Sequence, residues 1–150
     1  MKAIQKKRLI AIIGVFMFVL MGTGRTFGQS YSQSMLINKE WVYQIPEKPS
    51  FYFTVSFTNT EEIVALYVKG VKSDAEEVKR SYYLSNEIVD TFRSDLIGKS
   101  KGGKYIVALN KPKIGEQRLE LYEIIELTDT TLRIRIRGIQ RDEIIELKAK

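Results

Sequence analysis

The chain has 150 residues and contains neither cysteine nor histidine, and only three prolines. Without a thiol there is no disulfide, thiol-redox or papain-like chemistry. Without an imidazole there is no Ser-His-Asp triad, and without either there is no zinc finger. The missing cysteine also excludes a lipid anchor built on a residue following an export leader, so the chain does not read as a lipoprotein. Carboxylates are plentiful, but no pair is singled out for glycoside or proton-transfer work. The sequence therefore reads as non-enzymatic, with no cofactor and no metal.

What is present begins with a basic balance, 24 Lys and Arg against 18 Asp and Glu. Residues 1–28 hold Lys2, Lys6, Lys7, Arg8 and Arg25 and no acid, so the remainder carries 19 positive side chains against 18 carboxylates, about +1. Lys2 to Arg8 is a positive segment, Leu9 to Met21 is uncharged and apolar, and Thr26-Phe27-Gly28 ends on a small residue. That order is expected of a signal peptide cleaved after Gly28, exporting the protein to the periplasm or the exterior. An uncut membrane anchor is the alternative, although the apolar run is shorter than the ~20 residues that span hydrocarbon comfortably.

From Gln29 onward no repeat, low-complexity tract or composition shift marks a linker, so the division is residues 1–28 signal peptide, 29–39 flexible lead-in and 40–150 one domain. Gln29 to Ser34 is polar and expected to fray; Met35-Leu36-Ile37 is expected to form a short turn packing under the body. The rest alternates β-branched and aromatic runs with Gly, Pro, Asn, Asp and Ser clusters. Expected strands are Glu40–Ile45, Phe51–Thr58, Glu62–Lys69, Glu76–Leu84, Ile88–Phe92, Lys104–Leu109, Gln117–Leu127, Thr131–Arg137 and Glu143–Lys148. Ser85–Phe92 fits a helical turn equally, since Ile88, Val89 and Phe92 also have helical spacing.

Two hairpins can be set in register. With Asp129-Thr130 as a two-residue turn, Leu127 faces Leu132, Ile125 faces Ile134, Glu123 faces Ile136, and Glu126 pairs with Arg133. With Gln140-Arg141 as the next turn, Ile136 faces Ile145, Ile134 faces Leu147, and Arg135 meets Glu146. Both place Leu127, Ile125, Leu132, Ile134, Ile136, Ile145 and Leu147 on one apolar wall. A sheet wet on one side must bury the other, and with no convincing helix present its partner is more sheet.

Several segments resemble the small lipocalin-like (calycin-type) domains of exported bacterial proteins. These are Trp41 opening the first strand, Tyr82-Tyr83-Leu84-Ser85 followed by Phe92, Gly98-Lys99 leading to Gly103-Lys104-Tyr105-Ile106-Val107, and Tyr122 through Leu132. The resemblance covers Trp41 to Lys148. It implies an all-β, antiparallel up-and-down β-barrel of about eight strands, preceded here by a signal peptide, whose cup can hold a small apolar molecule. The long C-terminal helix of larger lipocalins has no counterpart in this sequence.

Candidate sites divide into functional and plain readings. Gly98 to Lys104 copies the first seven positions of a phosphate loop, but Tyr105 stands where Ser or Thr is needed and a strand follows, so a mobile basic hairpin turn is preferred. Arg133, Arg135, Arg137 and Arg141 form a basic stripe that could attract a polyanion. Glu126 and Glu146 neutralise it, and nucleic acid is not expected as a partner. The candidate barrel lining is Trp41, Phe53, Phe57, Tyr67, Tyr105, Glu123, Ile125 and Ile134, which either line a ligand cavity or fill the core. Glu123 stands out because the register points it into the apolar wall, where it either recognises a ligand's polar end or is returned to solvent by a rim position or a bulge. The leading expectation is an exported domain holding a small apolar or amphipathic molecule. The alternative is a filled barrel serving as a protein-interaction module, an inhibitor or an accessory subunit of an envelope complex.

Overall fold

Alternation of apolar and polar residues with period two drives Phe51–Phe57 and Thr131–Arg137 into strands, each with one face to bury, and the β-branched and aromatic run of Glu61–Val68 favours a strand by composition. The computed structural model describes residues 29–74, 77–112, 115–137 and 142–150. Residues 1–28, expected to be a signal peptide, and the expected turn at Gln140-Arg141 lie outside the described residues. In chain order the strands are β1 (Tyr31–Ser32), β2 (Glu40–Gln44), β3 (Phe51–Phe57), β4 (Glu61–Val68), β5 (Val71–Lys72), β6 (Val78–Ser85), β7 (Gly102–Gly103), β8 (Tyr105–Asn110), β9 (Arg118–Leu127), β10 (Thr131–Arg137) and β11 (Asp142–Ala149).

β2, β3, β4, β6, β8, β9, β10 and β11 each pair antiparallel with the next, and β11 returns to β2 through Lys148 opposite Val42 and Ala149 opposite Trp41. The result is a closed, eight-strand, up-and-down antiparallel barrel, in which closure satisfies the edges that an open sheet would expose. β5 is a short hairpin extension of β4, turned at Lys69 and Gly70, whose φ values of 52° and 79° suit a tight hairpin. Two hairpin turns share one chemistry. The Thr58 hydroxyl accepts the amide of Glu61 at 2.9 Å, and the Thr128 hydroxyl accepts that of Thr131 at 3.0 Å. The expected two-residue turn at Asp129-Thr130 is therefore present.

The lead-in closes the barrel end that carries these turns. Tyr31 and Gln33, in the segment expected to fray, are buried. A 3₁₀ turn at Gln33–Met35 drops Leu36 into the interior, and the indole of Trp41 donates to the Leu36 carbonyl at 3.1 Å. Gln33 donates to Asn59 O at 3.1 Å and to the Tyr82 hydroxyl at 3.0 Å. Two fully buried side chains, Leu36 and Trp41, contribute about 1.5–3 kcal/mol each from this closure. The turn expected at Met35 to Ile37 is present and packed under the body, the 3₁₀ turn at Gln33–Met35 running on into a turn at residues 36–38.

The segment expected as a mobile basic hairpin turn, Gly98 to Lys104, instead contributes the short strand β7 paired with the lead-in. Gly102 and Gly103 pair with Ser32 and Tyr31. A Cβ on Gly102 would lie 2.6 Å from the Tyr31 carbonyl oxygen, and one on Gly103 would lie 2.6 Å from the Ser85 backbone. These glycines permit backbones to touch.

Three expectations are corrected. Ile88–Phe92 is neither a strand nor a helical turn; the segment runs irregularly to a 3₁₀ turn at Ser94–Leu96 and lays Val89, Phe92 and Leu96 over the outer wall, against Tyr83, Tyr105 and Val107. In the final hairpin Ile134 faces Ile145 and Leu132 faces Leu147, two residues from the expected register, so Arg133 and not Arg135 meets Glu146. The inward face is unchanged, because a slip of two preserves parity. Between β9 and β10 the register breaks after Arg133 opposite Glu126, and resumes with Ile134 opposite Ile124, Arg135 opposite Glu123 and Ile136 opposite Tyr122. Ile125 is the extra residue of a β-bulge, so Ile124 and Tyr122, and not Ile125, Glu123 and Leu121, point inward.

Candidate functional site

Above the Trp41 layer the inward side chains leave a cavity of about 160 Å³. One side is aliphatic and aromatic, built by Phe53 and Val55 of β3, Leu132, Ile134 and Ile136 of β10, and Ile145 and Leu147 of β11. The other side is polar: Glu62 of β4, Arg80 of β6 and Tyr122 of β9. The alternation of each strand accounts for this, since Glu62 and Arg80 are cross-strand partners and share the inward face.

The polar side is a connected set of charges. Arg80 Nε lies 2.9 Å from Glu62 Oε2. The two atoms form a close ion pair at an angle poor for a hydrogen bond. Arg80 Nη1 pairs with Glu120 and donates to the Tyr122 hydroxyl at 3.0 Å, and Tyr122 in turn donates to Glu120. Asn110 donates to the other oxygen of Glu120 at 3.0 Å. The chain of contacts runs from Glu62, with 4% of its surface exposed, out to Glu120, whose side chain is a quarter exposed at 26%. The Arg80 guanidinium also lies over the Tyr122 ring, 5.8 Å from its centre.

Burial raises the Glu62 carboxyl above the ordinary glutamate range, against the opposing pull of Arg80. Burial also raises the Tyr122 phenol, and the Glu62 charge adds to it, so this hydroxyl stays protonated as a donor. Arg80 is held charged: desolvation opposes the charge, and Glu62, Tyr122 and Glu120 outweigh it. Among the described residues no group of three or more metal-ligating side chains is gathered.

Of the candidate lining residues, Phe53, Phe57 and Ile134 border the cavity. Trp41 is fully buried at the closed end beneath it. Tyr67 sits outside the barrel, stacked on Tyr52 with ring centres 4.9 Å apart, because Glu62 and Val64 take the inward parity of β4. Tyr105 is on the outer wall under the 86–97 segment. Ile125 is in the bulge, and its neighbour Glu123 is turned outward, where it meets Lys104 at 3.0 Å, Arg135 at 2.8 Å and Arg137 at 3.7 Å. The bulge considered for Glu123 is the arrangement found. Of the arginine stripe, Arg133 is paired 3.3 Å from Glu126 and 3.6 Å from Glu146, Arg135 and Arg137 meet Glu123, and Arg141 lies outside the described residues.

Sequence reasoning missed Glu62, Arg80 and Tyr122. Their signal was an acid and an arginine at inward parity on neighbouring strands, legible only once the β4–β6 register is known. Comparison of the chain with protein-family models, with curated proteins and with solved structures gives no match.

Proposed function

We propose that this protein is an exported, lipocalin-like, non-enzymatic carrier or sensor that holds one small amphipathic molecule inside its barrel. The observation that carries the reading is the two-sided cavity: about 160 Å³ of space with aliphatic and aromatic side chains across from a buried Glu62–Arg80–Tyr122 cluster. A core selected only to be filled leaves few voids larger than a water molecule, and an apolar space of ~150 Å³ admits a guest the size of benzene. Typical ligand pockets are larger, ~300–1,000 Å³, so the guest is a single ring, a short chain, or the buried end of a longer molecule. Polar groups placed at one side then fix its orientation. The lipocalin-like reading is supported by the closed meander, by the lead-in packed across one end and by Trp41 anchoring it.

The test is uptake of toluene by the folded full chain, followed by nuclear magnetic resonance shifts of the Ile134, Ile136 and Ile145 methyls, together with native mass spectrometry of gently purified material. Saturable one-to-one binding with shifts confined to those methyls is the expected result. A well-folded sample that takes up nothing overturns the reading in favour of a filled interaction module.

A further inference from the structure

The charge count of the buried cluster is uneven. Arg80 is the one cation acting on Glu62 among the described residues, and it is shared with Glu120. With Tyr122 neutral, the three ionisable groups sum to a single negative charge when all are ionised. Glu62 borders the cavity, and its buried Oε2 has Arg80 Nε, 2.9 Å away, as its one close partner among the described residues, at an angle poor for a hydrogen bond. An oxygen in that condition is costly unless a donor reaches it, and a buried charge left over is costlier still. Arg80 supplies charge to it through Nε, while its Nη1 is occupied by Glu120 and Tyr122.

Resting on the carrier reading above, we propose that the cavity selects a small organic ammonium, its N–H donors on Glu62 and its ring or alkyl part against Phe53, Val55 and Ile134. An ammonium brings a donor and a positive charge to Glu62 and so favours the carboxylate that burial alone disfavours, and with Glu62, Glu120 and Arg80 all ionised the occupied site is neutral. An anionic guest meets the opposite balance: it would have to displace Glu62 or Glu120 from the one guanidinium and would add a second uncompensated negative charge.

Three probes of one shape separate the cases on the wild-type chain at neutral pH: benzylamine, toluene and benzoate. The ammonium reading expects benzylamine to bind about tenfold or more tighter than toluene and benzoate to bind weakest, a difference equivalent to one charge-assisted hydrogen bond. Glu62→Gln should erase the preference of benzylamine over toluene. Equal binding of benzylamine and toluene, a preference for benzoate, or a Glu62→Gln variant that keeps the full preference overturns the proposal and leaves the carrier reading standing. Failure of all three probes to bind overturns both. Because the ranking of the probes is read on the unmodified protein, the test does not depend on the variant folding.

Discussion

The hydroxyl of Tyr31 donates to the carbonyl of Ile125 at 2.9 Å, joining the lead-in to the bulge in β9 across most of the chain. Ile125 is the residue that the β9–β10 ladder leaves without a partner opposite it, and Tyr31 fills a bond that the ladder does not make there. The bulge in turn decides that Tyr122 faces the cavity and Glu123 the outer wall. A contact at the closed end thereby supports the composition of the site. Tyr31→Phe removes the donor alone and should cost about 0.5–1.5 kcal/mol, read as a lower urea midpoint at unchanged slope. An unchanged midpoint would show that solvent satisfies the carbonyl equally well.

Glu123 supplies a pH signature on the outer wall. Burial acts to raise its carboxyl, but the Lys104 hydrogen bond and the charges of Lys104, Arg135 and Arg137 outweigh burial and hold it below the ordinary glutamate value. A depressed folded-state value stabilises the fold above the unfolded-state value, and the contribution disappears as pH falls through the folded one. Glu123→Gln should be less stable than wild type at neutral pH and converge on it in acid. It should leave toluene uptake unchanged, because Glu123 does not border the cavity.

Glu62 titrates in the opposite sense. Its folded-state value is raised above the unfolded one, principally by burial. The folded protein therefore holds the proton more tightly, and Glu62 favours folding at low pH and loses that contribution as pH rises from the ordinary glutamate range through its raised value. Urea unfolding of wild type and Glu62→Gln across this range should show the wild type losing stability relative to the variant with rising pH. A flat difference would place Glu62 in an ordinary solvated setting.

Val64 borders the cavity between Glu62 and Leu66 on β4, in register with Val55. Val64→Phe should occupy the space, preserving the β-sheet circular dichroism while abolishing toluene uptake. If uptake survives in the variant, the bound probe is elsewhere.

Gly103 is pressed on the Ser85 backbone, where a Cβ would come within 2.6 Å of main-chain atoms that cannot rotate away. Gly103→Ala should cost about 1–3 kcal/mol, as overpacking does, and should loosen the lead-in, measured as faster amide exchange at Gln33 and Tyr31.

Much of the architecture follows from local pattern. Phe51 to Phe57 and Thr131 to Arg137 alternate so regularly that strand and facing are set within the segment, and the threonine turn at Asp129-Thr130 fixes the pairing of its hairpin for the first two pairs. Periodicity could not reveal the bulge at Ile125, since Leu121, Glu123, Ile125 and Leu127 make as good an alternation as Tyr122 and Ile124 do after a one-residue slip. Nor could it place Tyr67 and Tyr105, since an aromatic ring suits the cavity wall and the covered outer wall equally.

The sequence by itself determined that short strands with one greasy face must curl around one another, because period-two patterning without helices leaves no other way to exclude water. Only the tertiary structure decided which polar groups are enclosed. Glu62 and Arg80 stand 18 positions apart and look like surface residues locally; they become a buried pair because β4 and β6 lie side by side with both turned inward. The identity of an inside is a property of the closed sheet, and strand parity acquires its meaning only when the neighbours, bulge included, are in place.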